Sequence, residues 1–323
     1  MANHIENKLA VVIPAYKIHF FKETLDSLAA QTNKNFTLYI GDDCSPCNFS
    51  ELISKYAGII DIVYKRFDKN LGGDDLVANW ERCIDMVGEE EWVWLFSDDD
   101  TMAPCCVENF YKELTDGMPS MLYHFNVLRI DQEGKVIATE TEYPAILRGT
   151  DFINKLINFE ITSYVVEYIF NKGYFHQMGR FKNFDLAWGS DHATWFKLSF
   201  NGDIKTITDT NTKVRWRTSD FNITSINTDM ALSLRKRQAE LDFYKWLIDF
   251  FSKKSVHLPF SVFSATRWII QGMVIHIERY GWGPVPRWIS EIAVIQGGKL
   301  SKFRCYGCLV FYTTLKKIKR VFK

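Results

Sequence analysis

Residues 91–104, EWVWLFSDDDTMAP, decide the fold. The run WVWLF is apolar at every position, so it reads as a strand buried on both faces, as in a parallel sheet. Three aspartates, Asp98, Asp99 and Asp100, end it. Neighbouring like charges repel and raise one another's pKa, so something positive is expected beside them. Hard carboxylate oxygens suit Mg2+ or Mn2+. An Asp here also makes a helix N-cap for the segment that follows, but three exceed that need.

Working outward, the first hundred residues alternate between two periodicities. LAVVI (9–13), FTLYIG (36–41) and IIDIVYKRF (59–67) read as strands. Residues 19–31, 49–57 and 74–87 read as helices, the last with Leu76, Val77, Trp80, Ile84 and Val87 on one face. This alternation predicts a parallel sheet covered by helices, with ligands at the carboxyl ends of its strands. Polar clusters fall at those ends: Pro14-Ala15-Tyr16, Asp42-Asp43 and the three aspartates. After about residue 105 the pattern is mixed, with a strand at 120–131 and helices at 146–158 and 190–200. Helices are expected at 228–252 and 262–280, with Pro259 between them and a break at GWGPVPRW (281–288).

Composition narrows the class. Hydrophobic residues are 47% and aromatics 15% of 323, enough for a large core and against global disorder. Lys+Arg and Asp+Glu are both 39, which argues against a dedicated nucleic-acid binder. Residues 299–323 hold eight Lys or Arg and no acid, so the chain before them carries the acidic excess. That basic, aromatic-interleaved tail would suit an anionic membrane surface as an amphipathic helix; it reads equally as a solvated terminal helix. No run of about 18 apolar residues is present, and the N-terminus lacks a secretory pattern, so a cytoplasmic location is the expectation. The pairs Cys44/Cys47 and Cys305/Cys308 are too far apart in sequence for an ordinary zinc site, and reduced thiols are expected.

Several residues have two readings each. Asp43 sits in DDCSP, good turn chemistry, or it accepts a base N–H. DKNLGGDD (68–75) has glycines that allow close backbone approach, but it is neither a Walker A nor a G-x-G-x-x-G loop. Asp191 in GSDHATWF is either a helix cap or a carboxylate able to take a proton from a hydroxyl. His192 beside it is a rival base. Arg215 and Arg217 flank Trp216 and alternate on a strand; a guanidinium there would also suit a diphosphate. Glu167 and Trp188 are candidate acceptor contacts, and Glu167 reads equally as an exposed strand residue.

Taken in order, VVIPAY (11–16), LDSLAAQTNKNFTLYIGDDCS (25–45), KNLGGDDLVANWERCI (69–84), WLFSDDDTMAP (94–104), WGSDHATWFKL (188–198) and RWRTSDFNIT (215–224) resemble glycosyltransferases of family 2, over residues 8–225. The resemblance implies a GT-A fold, a Rossmann-like mixed sheet flanked by helices. It divides the chain into a transferase domain at 1–225, with a nucleotide half at about 1–105 and an acceptor half at 106–225. Residues 226–323 then form a helical C-terminal extension.

It further implies that Pro14, Ala15 and Tyr16 line the nucleotide pocket, Asp43 contacts the base, and Asn70 and Gly72 border the nucleotide. Asp99 would be the metal ligand for Mn2+ or Mg2+, with Asp98 facing the ribose or metal waters and Asp100 supporting. Arg217, in R-x-S-x-x-N with Ser219 and Asn222, would face the diphosphate, and Asp191 would be the base. Ser97 departs from the family's D-x-D at its first position. SATRW (264–268) has Ser264 where processive members carry Gln.

The implied activity is metal-dependent, inverting, non-processive transfer of one sugar from a nucleotide sugar, with UDP the expected nucleotide. The acceptor would be a hydroxyl of a glycan or lipid-linked glycan in cell-surface polysaccharide or lipopolysaccharide synthesis, with the enzyme at most peripheral on the inner membrane face. The alternatives are a non-catalytic glycan or nucleotide-binding protein on a degenerate scaffold, and a nucleotidyltransferase, which would need a phosphate-cradling loop after the first strand.

Overall fold

The computed structural model describes residues 8–116, 119–220 and 229–321. The strands β1 (Leu9–Ala15), β2 (Phe36–Asp42), β3 (Asp61–Arg66) and β4 (Trp92–Leu95) pair in parallel in the order β3-β2-β1-β4. Helices α1 (Phe21–Ala29), α2 (Ser50–Ser54) and α3 (Leu76–Ile84) connect them. Side chains alternate across a strand, and β1 shows the consequence. Leu9, Val11 and Ile13 enter one core with Phe21, Leu25 and Leu28 of α1. Ala10 and Val12 enter the opposite core with Val77 and Ile84 of α3. The near-continuous apolar run is therefore buried on both faces, as expected of β1 and β4. β3 is the sheet edge and is largely exposed.

The second half turns the sheet mixed. Its elements are β5 (Thr101–Met102), α4 (Cys106–Asp116), β6 (Leu122–Ile130), β7 (Val136–Thr139), β8 (Ile146–Arg148), α5 (Gly149–Ile157), β9 (Tyr168–Asn171), α6 (Lys172–Gln177), α7 (Ser190–Ser199), β10 (Asp203–Ile207) and β11 (Lys213–Arg217). β9 lies antiparallel between β4 and β6. The long β6 changes partners midway. Its first residues pair with β9 and β10, and its last with β11 and β7. β11 also pairs with β5, directly after the aspartates.

The stretch expected to be helical at 146–158 opens instead as β8, antiparallel to β10. The helix starts at Gly149, where α5 packs so closely on α7 that a Cβ would lie 2.3 Å from the Ser199 carbonyl oxygen.

Past residue 229 the chain is helical: α8 (Met230–Lys254), α9 (Val262–Tyr280), α10 (Val285–Ile295) and α11 (Lys299–Val321). Asp229 caps α8 by accepting the N–H groups of Ala231 and Leu232. This extension makes no core of its own. Phe243 and Leu247 of α8, Ile269 and Met273 of α9, Trp288 of α10 and Leu309 of α11 share one hydrophobic cluster with Ala10, Val93 and Trp195. All seven cysteines are free, with Cys44 and Cys47 after β2 and Cys305 and Cys308 on α11.

Gly149→Ala is expected to destabilise the fold by about 2–3 kcal/mol, because backbone rather than a movable side chain blocks the added methyl. Urea unfolding checks this; a midpoint equal to that of the wild type would mean that α5 and α7 can separate freely.

Candidate functional site

The carboxyl ends of β1, β2 and β4 are neighbours, and the aspartate turn after β4 is pinned from every side. Asp98 Oδ2 accepts the backbone N–H groups of Tyr16 and Lys17 at 2.8 and 2.7 Å. Lys17 Nζ lies 2.6 Å from Asp99 Oδ2 and 3.6 Å from Asp98 Oδ1. Ser97 Oγ lies 2.8 Å from Asp99 Oδ1 and 2.6 Å from Asp100 Oδ2. Asp100 Oδ1 accepts the Arg217 backbone N–H at 2.6 Å, and Thr24 Oγ1 donates to the Asp100 carbonyl at 2.8 Å. Asp98 and Asp99 thus share Lys17, and Asp99 and Asp100 share Ser97.

Burial and the adjacent Asp99 charge push the Asp100 carboxyl well above its ordinary range. The Ser97 hydroxyl proton is shared between the two carboxyl neighbours, Asp99 Oδ1 and Asp100 Oδ2. Asp98 is pushed up to about 6 by burial and by Asp99, against the pull of Lys17 and two backbone N–H groups. Burial disfavours the Lys17 charge, but Asp98 and Asp99 outweigh it and hold the ammonium firmly protonated. A carboxylate in place of Ser97 would add a further charge to this cluster.

Among the described residues no three His, Cys, Asp or Glu side chains converge as a metal site. The donor chemistry at Asp99 still fits a divalent cation. Its hard carboxylate already attracts a cation, the Lys17 ammonium, whose side chain is long and partly exposed. The positive partner that the sequence demanded is thus Lys17.

Arg217, expected to face a diphosphate, has its guanidinium engaged within the fold. It is fully buried, and its guanidinium donates to the carbonyls of Asp99 at 2.8 Å and Gln132 at 2.8 Å, contacts Glu23 and lies over Phe20. It braces the aspartate turn from beneath. Asn222, its partner in the late motif, lies outside the described residues.

Asp43 is buried and organises the loop after β3. Its two oxygens accept the backbone N–H groups of Leu71 and Gly72 at 2.7 and 2.8 Å, and Arg82 of α3 pairs with it. A Cβ on Gly72 would stand 2.7 Å from Asp43 Oδ2, so glycine is required by this close approach. Asn70 closes the same loop by accepting the Gly73 N–H at 2.8 Å. Pro14 and Ala15 end β1, and the Tyr16 ring is 42% exposed at the rim.

Asp191 is in the first turn of α7, after Gly189 at φ 84°. It lines a cavity of about 490 Å³, together with Trp80, Tyr164, Trp188, Trp216, Phe243 and Trp268. His192 is a poor base through Nε2, which faces the Ser163 carbonyl at 3.2 Å and serves it as donor. The C-terminal helices supply one wall. Arg237 and Glu240 of α8 form a buried ion pair there, and Trp188 Nε1 donates to Glu240 at 3.1 Å. Gly272 of α9 leaves room for the Arg237 guanidinium, which a Cβ would overlap.

Behind Asp191 is a sealed polar cluster. Glu167 is fully buried, accepts the Tyr164 N–H at 3.1 Å and faces His124 at 3.6 Å. Burial raises its carboxyl well above the usual range, with Asp191 adding to the effect. It is not the exposed strand residue that one sequence reading allowed. His124 stacks on Tyr143 at 3.9 Å.

Sequence reasoning missed Lys17, Arg82, Arg237 and Glu240. Lys17 was the one findable by rule, as a cation directly after the first strand's polar end. Nothing local marks Arg237 and Glu240.

The doubly covered sheet, its carboxyl-end carboxylates and the adjoining aromatic cavity define the GT-A class of sugar transferases. The profile of Glycosyl transferase family 2 matches residues 10–186, and the chain belongs to that family as a glycosyltransferase. Among solved structures, TarS 1–349 of S. aureus in complex with UDP-GlcNAc is similar with a TM-score of 0.60 and 14% identity, over 95% of this chain and 92% of that one. The mannosyltransferase PcManGT from Pyrobaculum calidifontis in complex with GDP-Man and Mn2+ is similar with a TM-score of 0.50 and 15% identity, over 96% and 84%. No curated protein sequence matches.

Burial lowers His124 from 6.5 to about 3. The unfolded chain therefore binds this proton and the folded chain does not. The stability involved is complete above about pH 6.5 and is lost as pH falls toward 3, at about 1.4 kcal/mol per unit. Glu167 acts in the opposite sense, so the test is the difference between His124→Gln and wild type in denaturant titrations. That difference should shift in the variant's favour on acidification; a constant difference from pH 7 to 4.5 would rule the account out.

Proposed function

We propose that the protein moves one sugar from a nucleotide sugar to a hydroxyl of a glycan acceptor, with inversion. The observation that carries this reading is Asp191 at the wall of an aromatic cavity, joined through α3 to the loop that Asp43 holds at the strand ends. Leu76 and Trp80 of α3 line that cavity, a few residues beyond Gly72. UDP is the favoured nucleotide, which the UDP-GlcNAc held by the TarS structure supports.

In this reading Tyr16 offers a ring to the base, and Asp43 acts by holding the Leu71–Gly72 backbone against the nucleotide. The cavity's tryptophans offer flat apolar faces to acceptor sugar rings. The Arg237–Glu240 pair presents donors and acceptors with no net charge, which suits neutral hydroxyls. Asp191 accepts the proton of the attacking hydroxyl. The new bond forms from that oxygen to the anomeric carbon, and the bond to the diphosphate oxygen breaks with its electron pair on the nucleotide.

Asp99 is the residue that would hold a divalent cation, and PcManGT with Mn2+ supports such use. When bound, the cation supplies positive charge to the leaving diphosphate. Arg217 is a positioning residue that keeps the Asp99 backbone in place. The reading extends to a cell-surface glycan or its lipid-linked form as acceptor, and the aromatic lining of the cavity supports a sugar there.

Asp191→Asn should lower transfer by about 10²–10⁴-fold, while calorimetry still shows UDP binding. Transfer at the wild-type rate would remove Asp191 as the base. Lys17→Met should destabilise the metal-free protein by about 1–2 kcal/mol, and Mn2+ should raise its melting temperature more than it raises that of wild type. An equal response of both proteins would sink the idea that Lys17 and the cation share Asp99.

A further inference from the structure

Helix α11 is apolar on two sides. Ser301, Cys305, Leu309 and Thr313, at a spacing of four, are buried against the other C-terminal helices. The outer side carries Leu300, Phe303, Val310 and Phe311, which are 80%, 77%, 58% and 60% exposed. A solvated terminal helix would have polar residues there. Every formal charge between 299 and 323 is positive. Among them Lys302 is exposed, and Lys316 pairs with Glu278 of α9 at 2.7 Å. The apolar surface continues to the turn after α9, because Val310 and the exposed Trp282 border one depression with Ile277 of α9.

We infer that this outer face of α11 is a docking surface for an anionic lipid bilayer. The aromatic and aliphatic side chains would enter the headgroup boundary, and the cations would meet lipid phosphates. Charge decides between this occupant and a second copy of the chain. Two copies would set cation-only helices against each other, whereas an anionic surface complements them. No helix among the described residues is long and apolar enough to cross a membrane, so the contact is interfacial.

The surface also leads to the cavity. Ile275 of α9 is exposed and lines the cavity that holds Asp191, seven residues before Trp282. Resting on the transfer reading above, a bilayer on α11 brings a lipid-borne acceptor within reach of that opening.

The test is co-sedimentation of the full chain with phosphatidylcholine vesicles, with and without phosphatidylglycerol. Binding is expected only with the anionic lipid, weakening as salt rises. Leu300→Ser/Phe303→Ser/Phe311→Ser should weaken it by about tenfold or more, with circular dichroism and UDP binding unchanged. Lys299→Gln/Lys302→Gln should weaken it less. Absence of wild-type binding, or undiminished binding by the triple variant, would overturn the inference. So would a wild-type dimer by light scattering that the triple variant converts to monomer, since the face would then be an interface between copies. None of these readouts uses turnover, so the bilayer contact and the transfer reaction stand or fall separately.

Discussion

Three consecutive carboxylates buried at the end of β4 are the constraint around which the catalytic half is arranged. Unscreened, they would repel and resist burial. The chain neutralises them one by one. Backbone N–H groups after β1 hold Asp98, an ammonium holds Asp99, and Asp100 accepts the Ser97 hydroxyl and the Arg217 N–H. Each solution recruits a different element. β1 must end beside β4, β5 must pair with β11, and Arg217 must be buried under the turn with its guanidinium spent on backbone carbonyls. The result is a hard oxygen cluster whose charges are answered within the fold, with the Lys17 ammonium at Asp99.

The acceptor side is built by another principle. α7 presents Asp191, but the cavity around it is completed by α8 and α9, far along the chain. These helices bury their apolar faces in the same core as β1 and β4, which holds the cavity wall in register with the sheet. The Arg237–Glu240 pair is tolerated in that wall because Gly272 leaves it room and Trp188 supplies a further hydrogen bond. The same extension ends in α11, whose outer Leu300, Phe303, Val310 and Phe311 are exposed among the described residues.

The alternation of β1 to β4 was legible because runs such as WVWLF and LAVVI encode double burial directly, whatever they pack against. The polar strand ends were legible for the same reason: a charged residue after such a run must stand at the sheet's carboxyl edge. Less was legible beyond residue 105. β8 and β9 are short, and their strand character comes from pairing with β10, β4 and β6. Arg217 reads as a strand residue with a free guanidinium, and only the approach of Asp99, Gln132 and Glu23 shows that it is engaged.

The sequence by itself determined the parallel first half of the sheet, the carboxylates at its edge, the family and the cationic tail. All of these depend on local composition and period. Tertiary structure alone decided which cation answers the aspartates, what Asp43 holds and where the acceptor cavity closes. It also decided which face of α11 is left to solvent. These are meetings of residues up to hundreds of positions apart, and no local pattern records them until the core has packed.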